Sequence, residues 1–180
     1  MHLSKEENNI YFKNWLDILA FVNDKYQIVK KFGHPKKGED INLNHVDEIK
    51  TKLWENTKII DEYIKINKKL SDDDIYLLKS WKKRITGKFI ILKQLKNYCI
   101  FLDEKQENVY GIIGLSNSIA EYLPFIPVYI ETTLMPFKDR IAYDGILKIT
   151  EVQIGKNMAQ SFTEEYKRIK EEKGIITELS

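Results

Sequence analysis

Apolar residues recur at helical spacing through the first part of the chain and at strand spacing through much of the rest. Phe12, Trp15, Leu16, Leu19, Val22 and Tyr26 fall on one stripe of an amphipathic helix over residues 5–26, with Lys13, Asp17 and Lys25 on the opposite face. A loop over 32–43 follows, broken by Gly33, Pro35 and Gly38 and carrying an exposed Lys36-Lys37 pair. Asn44 is a good N-cap for a second helix, with Asp47 near its positive end. That helix presents Val46, Ile49, Leu53, Ile60, Tyr63 and Ile64, with Trp54 at the border, and runs to Ile66. Ser71 and Asp74 then have capping-box spacing, and a third helix buries Ile75, Leu78, Trp81 and Ile85 before Thr86-Gly87 ends it.

From residue 88 the period changes. Residues 88–95, 98–102 and 109–115 are short β-type runs, the last two joined by a polar turn over 103–108, which reads as an antiparallel meander. Ser116-Asn117-Ser118 caps a single turn through Tyr122, and Pro124 and Pro127 lead into a hairpin. Val128, Ile130, Thr132 and Leu134 alternate there with Tyr129, Glu131, Thr133 and Met135, until Pro136, lacking an amide hydrogen, is expected to end the ladder. Residues 137–140 form the turn, and Ile141, Tyr143 and then 146–154 resume the strand across Asp144-Gly145, a tight turn or a bulge in which glycine takes positive φ. A last helix opens at Gly155 or Asn157, buries Met158, Phe162, Tyr166 and Ile169, and ends at Gly174, with Ile175-Ile176 folding back. Helices followed by strands predict an α+β fold: three N-terminal helices, an antiparallel sheet of about five strands and a C-terminal helix. Residues 1–180 are expected to make one domain, helical over 1–86 and β-rich over 87–155, closed by the helix at 157–173.

Composition fits an ordinary globular protein, 43% hydrophobic and 31% charged, without low-complexity segments. The single cysteine, Cys99, lies in an apolar run, so no disulfide forms within the chain and a reducing compartment is expected. The first residues are polar and acidic, unlike a signal peptide, and no segment approaches the ~20 apolar residues of a membrane span. A cytoplasmic location without membrane contact follows as the expectation.

The strongest charge pattern is basic. No acidic residue occurs between Ile75 and Leu102, while Lys79, Lys82, Lys83, Arg84, Lys88, Lys93 and Lys96 gather around Trp81 and Phe89. Such a stretch suits an anionic partner: the cations follow a phosphate backbone and exposed aromatics stack on bases. The opposing reading places Trp81 in the core and assigns the cations near the helix end to the helix dipole. A second candidate is the hairpin turn, where Lys138, Asp139, Arg140, Tyr143 and Asp144 cluster with Glu131 nearby; paired carboxylates at a controlled distance do acid-base work. Turn acids are ordinarily solvated or bonded to local amides. The acidic run 72–74 suits a helix start better than a cation loop. His2, His34 and His45 have no metal spacing, so no metal or other cofactor is expected, and Gly111 and Gly114 fit close packing in a strand better than a phosphate loop.

The Trp15-Leu16 and 21–26 segment, Leu53-Trp54, Leu70-Ser71 with Trp81, Gly87-Lys88-Phe89 and above all the core from Leu134-Met135-Pro136-Phe137 to Tyr143-Asp144-Gly145 resemble a family of uncharacterised bacterial proteins of similar length. Some members carry a cysteine-rich SEC-C-type zinc motif; this chain has none, so zinc does not carry over. The resemblance implies one domain and no particular activity. The expected function is that of a non-enzymatic cytoplasmic binding or adaptor protein with an unknown partner, protein or nucleic acid. Nucleic-acid binding through 79–96 is the first alternative, and a hydrolase-type enzyme using carboxylates near 131–144 is the second. Open strand edges at 88–95 or 128–134 leave pairing into a homodimer open.

Overall fold

The stripe begun by Tyr11 and Trp15 forms α1 (Lys5–Tyr26), whose first turn is fixed by a reciprocal pair: the Glu7 amide donates to Ser4 Oγ (3.2 Å) and the Ser4 amide to Glu7 Oε2 (3.1 Å). The computed structural model describes residues 1–36 and 40–179, so Lys37 and Gly38 of the expected loop lie outside the described residues. Its contacts divide the chain into a helical unit, Asn9–Lys82, and a β-rich unit formed by Met1–Asn8 with Lys83–Ser180.

In the helical unit α1 is followed by α2 (Leu43–Glu55), α3 (Lys58–Ile66) and α4 (Asp72–Ser80). The single helix expected over 44–66 is therefore two, making four N-terminal helices. Asn56 leaves the helical region (φ −143°, ψ 86°) and its side-chain oxygen takes the Lys58 amide at 3.2 Å, a local bond that competes with helix continuation. The cap of α2 is Asn42, two residues earlier than expected, accepting from the amides of Asn44 and His45. Ser71 and Asp74 close the expected capping box on α4. Trp15 stacks on Trp54 and meets Trp81 edge-on, both at 5.6 Å between ring centroids, with Tyr11 5.8 Å from Trp81. All of Trp15, Ile18, Leu19, Ile49, Leu53 and Ile60 are buried around them.

The third helix does not reach Gly87. After Ser80 the chain makes one 3-10 turn (Trp81–Lys83) and enters β1 (Ile85–Gln94), because the β-branched Ile85 and Thr86 pair with Leu134 and Thr133. β2 (Cys99–Asp103), β3 (Val109–Ile112), β4 (Val128–Phe137), β5 (Arg140–Tyr143) and β6 (Lys148–Ile149) complete a sheet of six strands, one more than expected. The extra strand is the resumed second arm of the hairpin. Between the pairs Leu134–Tyr143 and Glu131–Lys148, β4 advances three residues and the other arm five. The two additional residues make a bulge in which Gly145 takes φ +88°.

Pro136 stays inside β4. Phe137 and Arg140 flank a two-residue turn and so form a hydrogen-bonded pair; Pro136 opposite Ile141 is then a non-bonded pair. Its missing amide hydrogen points away from β5, to the side where β1 has already ended at Ile85 opposite Leu134.

The sheet is mixed rather than wholly antiparallel, since β3 runs parallel to β5. With β1 pairing both β2 and β4, the five strands β1, β2, β3, β5 and β4 close a ring. The ring is narrowest at β3–β5, where Ile112 faces Ile141 and the Ile113 amide donates to Ile141 O at 2.9 Å. On the same edge of β3, Ile176 bonds Gly111 and Val109 at 2.9 Å each, and just beyond the strand Met1 and Leu3 bond Gly114 at 3.1 Å each. Phe89, Phe101 and Tyr110 meet inside at about 6 Å. On the outer face, α5 (Lys156–Lys173), opening after Gly155, lays Phe162, Tyr166 and Ile169 on Ile90, Ile100, Leu102 and Val109. Met158, in its first turn, stays exposed rather than joining that stripe.

Candidate functional site

The aromatics of the basic stretch do not share the surface with its cations. Trp81 and Phe89 are at most 1% exposed and unavailable for stacking. Lys79 and Lys82 belong to the helical unit, the other five cations to the β-rich unit. Lys82 donates to both oxygens of Asp61 at 2.5 and 2.6 Å. Lys88 stands 3.9 Å from Glu104 and opposite Glu131 in the β1–β4 ladder. The Lys93 ammonium lies 4.1 Å above the Tyr166 ring, a cation–π contact that ties the bulged end of β1 to α5. Arg84 is half-buried and its pKa is lowered by that burial, while Lys79, Lys83 and Lys96 are exposed.

The hairpin candidates are separated too. Lys138 and Arg140 both bind Glu7, and Arg140 Nε lies 3.5 Å from Asp139. Burial opposes ionisation of Glu7, but Arg140, the Ser4 amide and Lys138 outweigh it and hold the carboxyl at about 2. Asp139 is 82% exposed at the turn. Asp144 is buried and accepts the Ile146 amide at 3.1 Å, with the Thr132 hydroxyl at 3.5 Å. Thr132 and Glu131 are successive residues of β4 and point to opposite faces, so Glu131 cannot meet Asp144. Tyr143 is buried, which raises its phenol, with Tyr122 and Asp144 adding to the shift. The three carboxylates therefore do not converge. The residue missed from sequence is Glu7: its Ser4-x-x-Glu7 spacing was a visible capping signal, but its cations lie 131 and 133 positions away.

The expected strand edges at 88–95 and 128–134 are occupied, β1 by β2 and β4, and β4 by β1 on one side and β5 with β6 on the other. Cys99 is buried, with its thiol pushed up to about 12, and so is no nucleophile at neutral pH. Among the described residues no group of three or more His, Cys, Asp or Glu is placed to hold a metal ion, and no helix is long and apolar enough to cross a membrane.

The helical unit carries a concave site of about 450 Å³ where the chain leaves α1 and enters α2. Lys30, Lys31, His34 and His45 line it together with Asp24 and Asp40. Asn23 builds its wall: the side-chain amide donates to Val29 O (3.1 Å) and its oxygen accepts the Val29 amide (2.8 Å), holding the turn after α1, where Gln27 takes φ +52°. His34 is oriented by Asp17 at 2.7 Å from Nε2. From residue pattern alone this stretch reads as a loop of turn residues, because its lining is brought together only by how α1 ends and α2 begins.

No family model matches the chain, and no curated protein or solved structure matches it either.

Proposed function

We propose that this chain is a non-enzymatic cytoplasmic binding protein of the adaptor kind. What supports the reading most is the use made of the reactive side chains. The candidate carboxylates are spent separately, on a turn, on a buried main-chain amide and on a cross-strand position between Lys88 and Lys148. A catalytic pair needs its members within reach of one reacting atom.

Nucleic acid is the second reading, favoured by the ring of five strands. A five-stranded, partly open barrel is the architecture of OB-folds, which take oligonucleotides across strands 2 and 3. Here the outer face of β2 and β3 is apolar and lies under α5. The β-rich unit also holds as many acidic as basic residues, 15 of each. Fold likeness alone carries no function. Fluorescence anisotropy with labelled single- and double-stranded DNA and RNA, at low and physiological salt, separates the readings. The adaptor reading expects no binding that weakens with salt. Affinity falling steeply with salt, and falling again in Lys83→Glu/Lys96→Glu, would replace it with phosphate-backbone binding.

A further inference from the structure

We propose that the cleft between the end of α1 and the start of α2 holds a small polar ligand with one anionic head group, a phosphate monoester or a carboxylate, on a hydroxylated body. This rests on the reading of the chain as a binding protein and names a ligand class for it. The volume of about 450 Å³ falls within the ~300–1,000 Å³ of ordinary ligand sites. Its lining carries opposite charges, Lys30 and Lys31 against Asp24 and Asp40, together with the imidazoles of His34 and His45.

That mixture selects the ligand. A polyanion would bring successive phosphates against the two carboxylates, whereas a compact molecule presents one charge to the ammonium groups and its hydroxyls to Asp24 and Asp40, whose oxygens accept them. His34, already held by Asp17, is oriented before the ligand arrives.

Two-dimensional NMR of the full chain, titrated with inorganic phosphate, acetate and glycerol 3-phosphate, tests the site. Saturable shifts centred on residues 23–35 and 40–45 are expected with phosphate or acetate, whichever saturates assigning the head group, and glycerol 3-phosphate should bind more tightly than inorganic phosphate if that head is phosphate. Lys30→Ala/Lys31→Ala, at exposed positions, should weaken binding by about tenfold or more, while Lys30→Arg/Lys31→Arg stays within about threefold. Shifts that stay linear, spread over the molecule, or survive unchanged in the alanine variant would overturn the site. The parent reading has its own readout: p-nitrophenyl phosphate that binds here and is turned over would remove the non-enzymatic reading while leaving the site, and absence of binding removes the site alone.

Discussion

Asp74 and Glu7 stand at the third position of a capping box, and each also takes a lysine or arginine from elsewhere in its own unit. Asp74 accepts from Asn14 (2.7 Å), Lys13 (3.0 Å) and Ser71, and these outweigh its burial to hold the carboxyl at about 2. Both groups ionise more readily folded than unfolded. Their contribution is therefore complete above the unfolded values near 4 and is lost as pH falls from there toward 2. Asp74→Asn should destabilise the chain by ~1–3 kcal/mol at pH 7 and by far less at pH 2. Urea unfolding at both pH values checks it, and an equal loss at each would show that the charge is irrelevant. Glu7→Gln should behave alike, with a loss of ~1–2 kcal/mol at pH 7, since solvent reaches Lys138 as it reaches Lys13 on Asp74. The box on α4 was legible in four consecutive positions; the cations on Glu7 were not, since only the hairpin brings them near the chain start.

At the scale of elements, sequence pattern located helices and strands well and their ends less well. The entry into β1 at Ile85 and the passage of β4 through Pro136 were each decided by a partner strand rather than by local preference, whereas the helix break at Asn56 follows a local side-chain bond. The bulge at Asp144-Gly145 was legible as one of two options, because a glycine suited to positive φ was there to read. Close approach was legible only as a preference for small residues. A Cβ on Gly114 would lie 1.9 Å from the Asn117 carbonyl oxygen, a main-chain atom with little room to yield. Gly114→Ala should cost ~3 kcal/mol or more, seen as a lowered urea midpoint. Lys138 presents the reverse case, a lysine at φ +56° in the two-residue turn. Lys138→Gly gives up its exposed contacts to Glu7 and to the Phe137 ring and relieves that conformation, so a net gain of about 0.5–1 kcal/mol is expected, and a lower melting temperature would show that those contacts outweigh the backbone.

The arrangement of the β-rich unit depends on contacts far apart in sequence, which is why its helix and strands could be read while its closure could not. The alternation at Ile90, Ile100, Leu102 and Val109 marks an apolar outer face only once β1, β2 and β3 lie side by side, and the stripe on α5 names no docking site by itself. Two functions for that helix make different predictions. If α5 is structural, Phe162→Ala removes a wedge from a packed layer, and the loss should approach the ~3–5 kcal/mol of a buried aromatic, with amide exchange quickening in β2 and β3 and a hydrophobic dye binding more strongly. Oligonucleotide affinity should stay absent, because the uncovered patch offers isoleucine, leucine and valine, and the cations that share its face are already engaged, Lys88 beside Glu104 and opposite Glu131 and Lys93 over the Tyr166 ring. If α5 instead shields a nucleic-acid site, the same variant would gain salt-dependent affinity for single-stranded DNA or RNA. The chemistry of the face argues for the first outcome: stacking surfaces that bind bases pair aromatics with a charged groove, and here Phe162 and Tyr166 belong to the helix, Tyr98 precedes β2, and Tyr129 of β4 is packed against the same apolar cluster, while Phe89 and Phe101 of β1 and β2 point inward.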